Sequence, residues 1–165
     1  MLHSHTLKAG ASAALLAIAT LAAPAQAKLP PIPLSDVLAA AKAICFDHIG
    51  DPAAQTAVVT AAPFEAEKVR SDDDGTVTWN TDRFSIAILD NPDKKFCMVS
   101  AVVDPKTRIG EGITLARPLL GEPKSADEEF VLWYSKTRSG DQSMYGFMLK
   151  PEGDQMLGSY ASGTE

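Results

Sequence analysis

Histidine is nearly missing from this chain. Beyond residue 27 only His48 is left. Nucleophilic hydrolysis by serine or cysteine needs an imidazole or similar base beside the nucleophile. Here that route has one candidate base and no neighbour that marks it. The Gly-x-Ser-x-Gly elbow is absent. So are the Cys-x-x-Cys of thiol exchange and the Cys-x-x-Cys-His of haem attachment. Gly158 to Gly163 has the spacing of a phosphate loop, but Thr164 stands where that loop needs lysine. No motif implies a cofactor, and none is expected. Aromatic residues are scarce too, at 7%. Few large side chains can therefore anchor a partner, which singles out Trp79, Trp133 and Tyr134, since aromatics dominate binding hot spots.

Basic residues are in the minority. The whole chain carries 15 Lys and Arg against 21 Asp and Glu. A negative chain repels phosphate backbones and anionic lipid surfaces, so nucleic acid is not an expected partner. A protein with a basic surface is, because opposite charge speeds encounter.

Only one long apolar run exists. Lys8 supplies a basic start, Ala9 to Ala23 is uncharged and apolar, and Ala25-Gln26-Ala27 places small residues before a cleavage point. This is the three-part pattern of a secretory signal, with cleavage expected after Ala27. A bilayer span needs about 20 apolar residues, more than this run offers. The expected product begins near Lys28, has no stable membrane insertion, and resides in the periplasm or outside the cell. Removing Lys8 leaves 14 basic against 21 acidic residues, a formal charge of −7.

Export decides how the two cysteines are read. In an oxidising compartment a lone pair of cysteines joins. Cys45 and Cys97 would close a loop with 51 residues between them. Loop-closure entropy for such a ring stabilises by about 4 kcal/mol. The rival reading is a metal site: Cys45 and His48 lie one helical turn apart, Cys97 adds a third ligand and Asp51 a fourth. It lacks the paired ligand spacing of structural zinc sites.

The rest reads in order. Pro30, Pro31 and Pro33 make 28–34 an extended lead-in. Ser35 is a candidate N-cap, followed by one apolar face at Val37, Leu38, Ala41, Ile44, Cys45 and Ile49, with Gly50 as the stop. Asp51-Pro52 opens a second, alanine-rich helix that Pro63 ends. Glu65 to Arg70 is a weak edge strand, and Asp72-Asp73-Asp74-Gly75 a turn. It fails as a calcium loop, because Arg70 and Thr81 would fall on ligand positions. Thr76 to Asn80 and Arg83 to Ile88 alternate as strands, and Phe96 to Val103 returns as a nearly continuous apolar one. Residues 104–122 fit either a ragged helix or a loop, since Gly110, Gly112 and Pro118 interrupt an apolar face. Residues 128–136 and 143–150 read as a second hairpin about Ser139-Gly140-Asp141. Within it Phe130, Leu132 and Tyr134 are expected to face inward and Trp133 outward. Met156 to Tyr160 is a possible strand, and 161–165 a frayed tail.

The expected fold is α+β. One domain, 35–160, carries an antiparallel sheet of about four or five strands, two N-terminal helices on one face, and a helix-to-sheet disulfide. The expected function is that of a non-catalytic binding or accessory protein of the cell envelope. Alternatives are an inhibitor of a basic, lysozyme-type cell-wall hydrolase and an enzyme with an unrecognised carboxylate site, for which Glu128 or Glu129 is a candidate.

Overall fold

The computed structural model describes residues 29–136 and 142–164. The expected signal segment and the Ser139-Gly140-Asp141 turn lie outside the described residues. The chain is α+β, in the order α1 (Leu34–Ala41), a π-helical turn (Lys42–Phe46), α2 (Pro52–Thr60), β1 (Glu67–Ser71), β2 (Thr76–Asn80), β3 (Ser85–Asp90), β4 (Lys95–Val103), α3 (Ile109–Leu120), β5 (Ser125–Ala126), β6 (Phe130–Lys136), β7 (Gln142–Glu152) and β8 (Gln155–Thr164). All eight strands join one antiparallel sheet, ordered β1-β2-β3-β4-β8-β7-β6-β5.

The sheet is larger than expected, and β8 accounts for much of the difference. Its Gly- and Ser-rich sequence suggests fraying, yet it lies fifth in the sheet and pairs on both sides. Residues 161–164 are thus not a loose tail: Thr164 is paired with Lys95 of β4 and with Ser143 of β7. Small residues suit this position because neighbours come close. A Cβ on Gly158 would stand 3.0 Å from Val103 Cγ1 and 3.1 Å from Leu34 Cδ1.

α1 begins two residues earlier than an N-cap at Ser35 implies. Pro33, not Ser35, occupies the N-cap position, and no side chain caps it. The helix widens into the π turn instead of running on to Ile49. Gly50 closes the segment with φ +76°, the left-handed value anticipated for it. α2 starts as expected: Asp51 accepts a hydrogen bond from Ala54 N at 3.0 Å, with Pro52 in the first turn.

Residues 109–120 are helical, and α3 is a third helix on the same side of the sheet as the other two. Gly112 does not disrupt it. It is where the helix meets the sheet: a Cβ there would lie 2.0 Å from Phe147 Cε1. The Gly112 carbonyl accepts from the buried Tyr160 hydroxyl at 3.0 Å. Tyr160 in turn stacks on Phe147, with ring centroids 4.6 Å apart. Burial pushes the Tyr160 hydroxyl far above its ordinary value, so it stays a neutral donor.

The core fills the space between helices and sheet. Val37, Ala41, Ile44 and Val59 pack onto Ile86, Val99, Val131, Trp133, Phe147 and Tyr160. Cys45 and Cys97 are joined, with Cα atoms 5.4 Å apart and both side chains fully buried. The staple fastens the π turn to β4, and the Ser162 hydroxyl of β8 donates to the Cys45 carbonyl at 3.2 Å.

The face assignment of β6 is reversed. Val131 and Trp133 are buried under α3, while Phe130 and Tyr134 are 38% and 43% exposed on the other side. Trp133 fits inward because its Nε1 finds a partner there, donating to the Gly121 carbonyl at 3.1 Å.

Candidate functional site

Helices cover one face of the sheet. The other face divides into two unlike halves. Over β2 and β3 it presents Thr76, Thr78, Asn80, Ser85 and Ala87, the ordinary dress of a solvated sheet face, with Leu89 beside Phe96 at the border of the other half. Over β4, β8, β7 and β6 it is apolar.

Cross-strand pairing shows how that apolar half is built, since paired residues share a face. One row runs Phe96, Gly163, Met144, Tyr134. The next runs Met98, Ala161, Gly146, Leu132. A third runs Ser100, Ser159, Met148, Phe130. β8 contributes only small residues to this face, so it forms a floor. Phe96 and Met98 stand on one side of it. Met144, Met148, Leu132 and Phe130 stand on the other. Phe130 leans over Gly146, where a Cβ would lie 3.2 Å from its ring. The result is a trough along β8.

Two adjoining depressions occupy the trough. The apolar one, about 140 Å³, lies between Met98 and Leu132. The larger, about 400 Å³, lies at the Thr164 end between Phe96 and Tyr134. They share Phe96, Met144 and Gly163. The larger has the size of a small-molecule site, about 300–1,000 Å³. Its polar lining is Lys94, Lys95, Gln142 and Thr164, beside the Tyr134 hydroxyl. Lys95 is ion-paired to Asp90. Among the described residues no carboxylate lines either depression.

The candidate residues named from sequence divide accordingly. Tyr134 lines the trough. Trp133 lies in the core, so it is not available to a partner on the surface. Trp79 is half-buried on the helix side of β2, packed against the core, and its Nε1 is enclosed without a hydrogen-bond partner. Phe96, Met98, Met144 and Met148 were missed. The signal for them was present: β4 is apolar at Phe96 and Met98 as well as at Cys97 and Val99, which gives a strand two apolar faces.

The metal reading loses its ligands. With both sulfurs in the disulfide, Cys45 and Cys97 cannot ligate a metal alongside His48. Glu128 and Glu129 sit on an exposed turn before β6. There Asp127 Oδ1 accepts from the backbone N–H groups of Glu129 and Phe130 at 2.8 and 2.7 Å, a structural cap on the turn.

The acidic segment 72–75 is the turn between β1 and β2. Asp74 Oδ1 accepts from Thr76 N at 2.9 Å. That bond, with help from the Thr76 hydroxyl, holds the Asp74 carboxyl below its ordinary 3.8. A depressed carboxyl stabilises the fold above its unfolded value and ceases to do so as pH falls through its folded value. The β1–β2 turn should therefore loosen only below about pH 4. Following the Asp74 side-chain carbonyl by NMR should give a midpoint below 3.8; a midpoint above that value would count against the bond.

Comparison with family models, with curated proteins and with solved structures finds no match to this chain. Among the described residues no helix is long and apolar enough to cross a membrane. A buried disulfide fits an oxidising compartment.

Proposed function

We propose that this is an exported, non-catalytic binding protein whose ligand seats in the trough of the open sheet face. One observation carries the reading: half of that face is polar in the usual way, and the other half is a concave surface of Phe, Met and Leu side chains. Burying apolar area stabilises by about 25 cal/mol per Å², so an uncovered surface of this kind gains by acquiring a cover. Methionine suits the role, because its unbranched thioether adapts to varied shapes. Phe130 and Tyr134 supply the exposed aromatic contacts.

Titration with Nile red, a neutral apolar dye, tests this. Saturable binding at one site per chain is expected. Met98→Lys should abolish it by placing an ammonium among the walls, while the thermal midpoint moves by only a few degrees because Met98 lies outside the helix-side core. Unsaturable or absent binding by the unaltered protein would overturn the reading.

A further inference from the structure

We infer that the ligand is a single-chain amphiphile with an anionic head, such as a fatty acid, lying with its tail along β8 and its head at Lys94. The inference rests on the trough being the binding site.

Shape supports the tail. The trough follows one strand from Ser159 to Gly163, with Phe96 and Met98 of β4 on one side of it and Met144 and Met148 of β7 on the other. Such a channel fits an extended alkyl chain better than a broad ring system.

Charge supports the head. The chain carries a formal charge of −6, yet among the described residues the ionisable groups lining the trough are two lysines and a tyrosine, all at one end. Asp90 already engages Lys95. Lys94 is exposed and makes no ion pair among the described residues. Its ammonium sits on a flexible four-carbon stem able to follow a carboxylate. Gln142, Thr164 and Tyr134 add neutral donors beside it. The far end, by contrast, closes with the Ser100 and Ser159 hydroxyls bonded to each other at 2.8 Å. Among the described residues the trough is therefore apolar along its length, with one unpaired ammonium, that of Lys94, at one end, the complement of an anionic amphiphile.

Calorimetric titration with three twelve-carbon probes below their micelle concentrations tests this: dodecanoate, dodecanol and dodecyltrimethylammonium. Dodecanoate should bind one per chain, about tenfold more tightly than the cationic probe, with dodecanol between. An exposed charge contact is worth about threefold in affinity, and attraction and repulsion each contribute one such factor. Lys94→Glu should reverse the order of the two ionic probes. Lys68→Glu, the same charge change on β1, should leave it intact. Equal shifts from both variants would reduce the preference to net charge and overturn the inference. If all three probes bind alike and Met98→Lys abolishes each, the trough reading stands and the head assignment falls. If none binds, both fall. If sedimentation shows a dimer that Met98→Lys splits, a second copy of the chain is the cover and the inference is overturned.

Discussion

Removing the staple should cost this fold about 4 kcal/mol. The link spans 52 positions, and the entropy of the open chain grows with the logarithm of the loop it frees. Set against a total of about 5–15 kcal/mol for a domain, that loss brings a Cys45→Ala/Cys97→Ala protein close to half unfolded at elevated temperature. The expected fall in thermal midpoint is about 10–20 °C. A reductant should lower the midpoint of the unaltered protein comparably and leave the double variant unmoved. A loss below about 1 kcal/mol would mean that the π turn is held to β4 by packing alone. Intact-mass analysis showing two free thiols would remove the bond from the native protein altogether.

Gly112→Ala should be the most damaging small change on the helices. The added methyl would stand 2.0 Å from Phe147 Cε1, well inside van der Waals contact. Phe147 cannot swing away, since Tyr160 stacks on it and is itself tied to the Gly112 carbonyl. Overpacking of this kind costs about 1–3 kcal/mol. Alanine's better helix propensity offsets roughly 1 kcal/mol of it. Gly110→Ala is the control: nothing lies within 4 Å of its Cβ position, so only the propensity gain remains and stability should hold or rise. Denaturant midpoints of the two variants should move in opposite directions. A neutral Gly112→Ala would show that α3 can retreat from the sheet.

These two sites mark the limits of what could be read from residues alone. The disulfide was legible because two cysteines allow one pairing and the apolar run near the N-terminus leads to an expectation of export. The β3–β4 hairpin was legible because Phe84, Ile86 and Ile88 alternate with Arg83, Ser85 and Ala87, and Phe96 to Val103 is almost continuously apolar. Gly112 was legible only as an interruption: propensity counts a mid-helix glycine as a cost, and the benefit lies in a partner 35 residues further along, Phe147. β8 failed for the same reason, its small residues being chosen by the neighbours that crowd it.

The trough was hidden by an ambiguity of period two. Alternation along β6 says that Phe130, Leu132 and Tyr134 share a face, and that Val131 and Trp133 share the other. It does not say which face meets helices. Three apolar residues against two favoured the wrong answer. What resolves the matter is the count of layers. With helices on one side only, a set of strands apolar on both sides must leave one apolar side bare, and that surplus is the proposed site.

The strand that floors the trough is also the last of the eight to be made. The β1–β4 meander and the β5–β7 meander have no common edge until β8 slides between them. Synthesis thus delivers two open-edged half-sheets first and their keystone afterwards. The trough therefore comes into being in the same event that joins the two half-sheets.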